Sequence, residues 1–240
     1  NPFADITTQV DFTAITPHQL FESLSTLSKK TNIKTIIVGG GEITSEMERG
    51  IQWLAQDIYA TYGMTETSSH IALRKANGVD RKDFYTMIGD TKFNIDSRNC
   101  LVIENPQLFK GQLTTNDIVE IIDHRSFKWL GRWDNVINSG GIKLVAEEIE
   151  RKIAHLHGGL MILVGVADKR LGEAAYLVVE RTGNTDADKN VLLEGVKSVL
   201  GQYAYIADVL YVDKIPETPN GKPDRVMLKQ LVKQMIPDNQ

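Results

Sequence analysis

Gly131-Arg132-Trp133-Asp134-Asn135-Val136-Ile137-Asn138-Ser139-Gly140-Gly141-Ile142-Lys143 is the stretch around which the chain is organised. A Gly-Arg pair comes first, then a polar turn. Residues 135–137 follow with the composition of a short strand, and Ser-Gly-Gly reads as opening onto a helix. Arg132 carries a planar fork of donors suited to phosphate or ribose oxygens. Asp134 sits where the chain can pivot, and Gly140-Gly141 lets backbone approach a ligand closely. The segment separates two halves of different texture. That predicts a hinge between two domains with a nucleotide site on one side. An ordinary loop before a helix has the same local pattern, so two other stretches decide between the readings.

The chain has 240 residues, enough for one large domain or two smaller ones with cores of their own. Its hydrophobic share of 42% and charged share of 24% are those of a globular protein. With a net charge of −4, nothing points to a nucleic-acid partner or an anionic membrane, and any bound anion must be held by local donors. Cys100 stands alone, which excludes an intrachain disulfide and a cysteine metal cage. It reads as a small buried residue rather than a nucleophile, and the usage suits a reducing compartment such as the cytoplasm. No apolar run reaches membrane-spanning length, and the first residues lack a signal-peptide pattern. The opening Asn1-Pro2-Phe3, without an initiator Met, suggests a piece of a longer protein or a processed product.

Outward from the hinge, the two halves differ. Residues 3–15 alternate like a strand, and Pro17 starts a helix with Leu20, Phe21, Leu24 and Leu27 on one face. Residues 34–38 (Lys-Thr-Ile-Ile-Val) form a β-branched run typical of a buried parallel strand. Ser45 and Glu48 have capping-box spacing for a helix to about Leu54, and residues 58–62 look like the next strand. This order predicts a parallel sheet covered by helices. Across residues 85–130 the texture changes to short strands between polar turns, read as a small antiparallel β unit, a distorted barrel or meander. Beyond the hinge, helices are expected at 145–156, 188–200 and 224–235, with strands at 160–166, 174–180 and 208–215. Together they make a compact α+β domain of about a hundred residues. The expected division is therefore 1–133 (1–84 α/β, 85–133 β-rich) and 134–240.

Four motifs carry candidate chemistry. Val38-Gly39-Gly40-Gly41-Glu42 runs from a strand into glycines before a helix, presenting free backbone N–H groups to a nucleotide or carboxylate. It is neither the dinucleotide fingerprint nor the phosphate loop, and such a run is often a plain tight turn. In Tyr62-Gly63-Met64-Thr65-Glu66-Thr67-Ser68-Ser69-His70 a strand ends in aromatic-Gly-x-Thr-Glu. Ligands of open α/β sheets bind off such strand ends. Tyr62 can lie against a base, Gly63 frees the turn, the Thr65 hydroxyl can hold a phosphate oxygen, and Glu66 can bind Mg²⁺. His70 either faces a substrate pocket or is structural. Asp117, just before a strand, is placed to accept ribose hydroxyls. Pro216-Glu217-Thr218-Pro219-Asn220-Gly221-Lys222-Pro223-Asp224-Arg225 is a stiff loop with Lys222 at its tip, where a lysine can be delivered to a reaction centre and withdrawn.

With the hinge stretch, Tyr62-Gly63-Met64-Thr65-Glu66 and Gly221-Lys222 in this order, the chain resembles the acyl-adenylate-forming superfamily of acyl-CoA synthetases, nonribosomal adenylation domains and luciferases. The resemblance covers essentially all 240 residues. Within it, Tyr-Gly-Met-Thr-Glu-Thr and Gly-Arg-x-Asp-Asn-x-x-x-Ser-Gly-Gly look most like the o-succinylbenzoate–CoA ligases of menaquinone biosynthesis.

The resemblance implies an ATP-dependent acid–thiol ligase with a small-molecule carboxylic acid, ATP/AMP, Mg²⁺ and CoA as its partners. It implies that Gly39, Gly40, Gly41, Glu42, Tyr62, Gly63 and Met64 shape the adenine and acyl pockets. Thr65 would contact the α-phosphate, Glu66 would ligate Mg²⁺, and Asp117 would hold the ribose hydroxyls with Arg132 nearby. Asp134 would be the hinge, Gly140 and Gly141 would line the route of the CoA arm, and Lys222 would be the adenylation lysine. The chain departs from the family in lacking the Ser/Thr/Gly-rich phosphate loop ending in Pro-Lys. The expectation is an incomplete large adenylating domain followed by a small mobile domain, a fragment without efficient turnover of its own. Rival readings are another aryl or fatty acyl-CoA synthetase, a carrier-protein-loading domain, or a non-catalytic AMP- or acyl-binding module. The pattern does not determine the acid or the oligomeric state.

Overall fold

The structure, a computed structural model, describes residues 1–29, 32–183, 188–201, 205–219 and 221–236. The chain divides into two compact units, Asn1–Trp129 and Leu130–Gln240.

The first unit begins with strand β1 (Val10–Ile15), helix α1 (Pro17–Leu27), β2 (Ile33–Val38), α2 (Ser45–Ile51) and β3 (Asp57–Gly63). The three strands pair in parallel, as the β-branched runs predict. Helix α1 starts where Pro17 predicts, with Thr16 and Gln19 capping each other reciprocally. Its face of Leu20, Leu24 and Leu27 packs with Ile36, Val38, Ile51 and Ile58. Cutting a fully buried member such as Ile36 to alanine would cost about 2–5 kcal/mol. For α2 the expected capping box is corrected. The cap is Thr44, whose hydroxyl accepts from the Met47 N–H. Glu48 instead pairs with Arg74 at 2.6 Å and with Arg81, because a buried guanidinium needs a carboxylate more than an exposed backbone N–H does.

After one 3-10 turn at Thr65–Thr67, β4 (His70–Lys75) returns antiparallel along β3. The strands β5 (Tyr85–Met87), β6 (Lys92–Ile95), β7 (Cys100–Glu104), β8 (Gln112–Asp123) and β9 (Ser126–Arg132) follow. They do not form a sheet of their own. One nine-stranded sheet has the order β1-β2-β3-β4-β5-β9-β8-β7-β6, with β5 joining the parallel half to an antiparallel meander. Asp117 also departs from expectation. It lies within β8, not before it. Cys100 pairs with Ile118 and Val102 with Thr114, so Leu101 alone faces the three residues 115–117. This bulge re-aims the strand. It is held by Thr115, whose hydroxyl donates to the Leu101 carbonyl and accepts from the Asp117 N–H, and by Arg98, which donates to Asn116 and the Thr115 carbonyl.

In the second unit, a 3-10 turn at Trp133–Asn135 leads to β10 (Val136–Ser139), β11 (Ile142–Val145), α3 (Ala146–Ile153), β12 (Met161–Asp168), β13 (Gly172–Glu180), α4 (Lys189–Leu200), β14 (Asp208–Val212) and α5 (Arg225–Met235). Here the expectation that Ser-Gly-Gly opens a helix is overturned. Gly140 and Gly141, at φ +58° and +84°, form the two-residue turn of the β10–β11 hairpin, and the helix begins at Ala146. Two consecutive positive-φ residues match the twist of a tight hairpin, which is why both are glycine. Strand β12 alternates faces. Met161 and Leu163 pack with α3 and α4, while Ile162, Val164 and Val166 pack with α5. Among the described residues, no helix is long and apolar enough to cross a membrane.

Candidate functional site

In the first unit the predicted residues gather at the carboxyl ends of β2 and β3. These strands pair Val38 with Ala60, so the Gly39 turn and Tyr62 leave the sheet side by side. The Thr61 hydroxyl donates to the Val38 carbonyl at 3.2 Å, and a Cβ on Gly39 would lie 2.5 Å from that hydroxyl oxygen. Gly40 turns the chain at φ +82°. Glu42 is exposed, close enough that its charge raises the pKa of Tyr85.

The side chain of Tyr62 reaches further than its place in the sheet suggests. Its hydroxyl donates to Asp117 Oδ2 at 2.7 Å. Strands β4, β5 and β9 lie between β3 and β8, a separation of ~19 Å in a flat sheet, so the sheet must curl to bring the two together. Aromatic rings fill the concave side. Tyr62 meets Phe127 edge-on at 5.1 Å and Tyr85 at 5.8 Å, and Tyr85 stacks on Phe127. Burial pushes the Tyr85 hydroxyl above its ordinary pKa, against the pull of the neighbouring Arg74 guanidinium. Trp129 on β9 donates its indole N–H to the other oxygen, Asp117 Oδ1, at 3.1 Å. Asp117 is buried, so its carboxylate is a shielded, two-donor-held acceptor.

The turn after Gly63 is built by Thr67, which the motif reading passed over. Thr67 is buried; its hydroxyl accepts from the Met64 N–H and donates to the Ser69 carbonyl at 2.7 Å, with the Met64 carbonyl an alternative acceptor at 3.0 Å. That leaves the Thr65 and Glu66 side chains exposed at the tip. Gly63 admits no side chain, since a Cβ there would lie 2.6 Å from the His70 Cα and closer still to the Ser69 carbonyl. His70 starts β4 opposite Gly63 and lies 3.2 Å from the Ser69 hydroxyl through Nδ1.

In the second unit Arg132 and Asp134 pair at 2.7 Å, both exposed. Glu147 on α3 ties this segment down by accepting from the Arg132 N–H and the Asn135 amide. Gly131 sits against it; a Cβ there would be 2.7 Å from Val145 Cγ1. The Lys143 ammonium lies 4.7 Å over the Trp133 ring. The Gly140-Gly141 turn is exposed, and a Cβ on Gly141 would meet nothing within 4 Å. Lys222 is exposed on a tight turn in which Thr218 and Lys222 bond through Thr218 N–H to Lys222 O at 2.7 Å and Lys222 N–H to Thr218 Oγ1 at 3.2 Å. Asn220, part of the loop reading, lies outside the described residues.

Arg225, three residues past Lys222, roots that turn. It takes Glu150 bidentately, at 2.9 and 2.7 Å, and donates to the Leu163 carbonyl at 2.9 Å. Burial lifts the Glu150 carboxyl above its usual pKa, with the Arg225 charge acting in the opposite sense. Neither Glu150 nor Trp129 was among the residues singled out from the sequence. Trp129 carried a legible signal: it shares a strand face with Phe127, two residues earlier.

Residues 161–222 match the family described as AMP-binding enzyme C-terminal domain. A solved acyl-CoA synthetase (AMP-forming)/AMP-acid ligase II-like protein of Dyadobacter fermentans is 32% identical, with 97% of this chain and 68% of that one covered and a TM-score of 0.55. The chain belongs to the acyl-adenylate-forming superfamily. Within the superfamily, the 2-succinylbenzoate–CoA ligase of Escherichia coli is 25% identical over 91% of this chain and 50% of its own length. The fold is shared with the Bacillus subtilis O-succinylbenzoate coenzyme A synthetase solved with ATP and magnesium ion, at TM-score 0.73 and 21% identity over 92% of this chain and 51% of that one. The chain spans about half the length of the curated 2-succinylbenzoate–CoA ligases that it matches.

Proposed function

We propose that the protein is, or is part of, an ATP-dependent ligase that activates o-succinylbenzoate as its acyl-adenylate and passes the acyl group to CoA. The observation that carries the choice of acid is the extent of similarity: relatives named 2-succinylbenzoate–CoA ligase align over 83–91% of this chain. In this reading Asp117, held by Tyr62 and Trp129, accepts the ribose hydroxyls. The Gly39, Gly40, Gly41 and Glu42 turn, with Gly63 and Met64, walls the adenine and acyl pockets. Thr65 orients an α-phosphate oxygen, and Arg132 donates to ribose or phosphate. Lys222 supplies an ammonium that offsets charge developing at the α-phosphorus as the carboxylate attacks. Most of the rate gain is alignment and charge placement.

Glu66 is a solitary exposed carboxylate, and among the described residues no three His, Cys, Asp or Glu side chains cluster. That donor set fits Mg²⁺, which takes one or two protein carboxylates and fills its shell with phosphate oxygens and water. When bound, the ion would neutralise phosphate charge. Thioester formation then uses the Gly140-Gly141 turn, whose lack of side chains leaves room for the CoA arm, and Asp134 as the pivot between the two half-reactions. The reading places the enzyme in the cytoplasm.

The test is pyrophosphate exchange across a panel of acids in the complete enzyme, with o-succinylbenzoate expected to support the fastest exchange; an aryl or fatty acid surpassing it would reassign the substrate. In the same assay Lys222→Ala is expected to lower adenylation by at least about a hundredfold. Thioester formation from supplied acyl-AMP should be spared, and equal loss in both halves would remove Lys222 from the proposed role.

A further inference from the structure

Resting on the reading of the Gly140-Gly141 turn as the route of the CoA arm, we infer that Glu173 is a positioning residue for thioester formation, whose carboxylate sets where this turn stands against β13. Strand β10 meets β13 at one register pair, Ser139 with Gly172. Hydrogen bonds on either side of that pair differ in kind. The Gly140 N–H donates to the Leu171 carbonyl at 2.8 Å. The Asn138 N–H donates to Glu173 Oε2 at 2.8 Å, where a continued ladder would present a backbone carbonyl. Asn138 is exposed, so water could satisfy its N–H equally well, and burial does not demand this contact. What the carboxylate adds is a charge-assisted bond of defined direction. Its other oxygen lies over Gly165 of β12, where a Cβ would come within 3.0 Å of Glu173 Oε1 and 2.8 Å of Ile137 Cγ2. Gly165 thus clears the space in which the Glu173 side chain and β10 meet. The Leu171 carbonyl is fixed in its turn by Asp168, whose Oδ1 accepts from the Arg170 and Leu171 N–H groups at 2.8 Å each. Gly140 and Gly141 have no side chains with which to anchor the turn, so its place rests on these flanks. Without the carboxylate, β10 keeps its tie at Gly140 and loses the one at Asn138. The turn then no longer presents its backbone to the CoA arm at a fixed distance.

Glu173→Met keeps the length of the side chain and removes the acceptor. The assay is thioester formation by the complete enzyme from supplied acyl-AMP, with CoA varied, beside pyrophosphate exchange for adenylation. In Glu173→Met the KM for CoA is expected to rise about tenfold, the worth of one hydrogen bond to a charged acceptor, with adenylation and melting temperature little changed. Glu173→Gln keeps an acceptor oxygen at the same reach and should stay within about threefold of the parent KM. If the Met variant does not fold, Glu173→Asp takes its place: it keeps the charge, falls one methylene short of Asn138, and should raise the KM similarly. Adenylation lost alongside thioester formation, or a Gln variant as impaired as the Met variant, gives Glu173 a purely structural role and overturns the inference. Gly141→Asn separates this inference from the reading beneath it, because asparagine tolerates positive φ and adds a side chain on the exposed turn. An unchanged KM for CoA in Glu173→Met and Glu173→Asp, with a raised one in Gly141→Asn, overturns the role of Glu173 and leaves the CoA route in place. An unchanged KM in all three removes the CoA route and the inference with it.

Discussion

Replacing Arg225 by methionine removes the guanidinium that closes three hydrogen bonds, two to the Glu150 carboxylate and one to the Leu163 carbonyl. Glu150 stays behind, its side chain 12% exposed, with the Leu163 N–H still donating to it at 2.7 Å. Breaking a buried ion pair from one side costs about 3–5 kcal/mol, and three hydrogen bonds at ~1–1.5 kcal/mol each give a similar figure. Hydrogen exchange at the Leu228 and Val232 amides of α5 reads the loss directly. It should accelerate on the order of a hundred- to a few-thousand-fold at neutral pH. The pH dependence has a definite sign. The folded Glu150 carboxyl already stands above its usual pKa through burial, and losing the Arg225 charge lifts it further. A carboxyl with a folded pKa above its unfolded one contributes stability when protonated, and loses that contribution as pH rises through the folded pKa. The deficit of Arg225→Met should therefore shrink as the pH falls from about 7 toward about 5. Adding Glu150→Met should recover most of the loss, because a packed apolar pair replaces a broken ionic one. Exchange within threefold of the parent rate, or a deficit flat across that pH range, would refute the account of Arg225 as the root of the Lys222 turn.

Asp134→Pro should slow one half-reaction selectively, measured as adenylation against thioester formation, since proline fixes φ at the proposed pivot; equal rates would discard the pivot. Gly63→Ala should lower the stability of the first unit by at least about 2 kcal/mol in thermal melting, because its Cβ would collide with the Ser69 and His70 backbone rather than with a movable side chain. A near-neutral result would show that the β3–β4 turn can shift.

Much of the fold was legible because it rests on local patterns. The β-branched run at β2, Pro17 at the head of α1 and the aspartates capping α4 and α5 all act within a few residues of themselves. The errors fall where distant contacts decide. Ser45 and Glu48 have the spacing of a capping box, but Arg74, twenty-six residues away, claims Glu48. Ser139-Gly140-Gly141 resembles the start of a helix, but the pairing of β10 with β11 makes it a hairpin. Asp117 reads as preceding a strand because Asn-Asp is a poor strand former. The bulge satisfies both facts, keeping the residues in a strand while interrupting its ladder. For the site, the order of motifs pointed to Tyr62, Asp117 and Lys222. The donors that hold Asp117 and the ion pair beneath Lys222 became visible only in three dimensions.

The Tyr62–Asp117 contact joins residues fifty-five positions apart in sequence. That contact closes a loop holding β4, β5, β6 and β7, and it also needs β9 seated between β5 and β8. The proposed nucleotide pocket thus depends on the curl of the whole sheet, and a ligand seated there would guard the completed sheet against reopening.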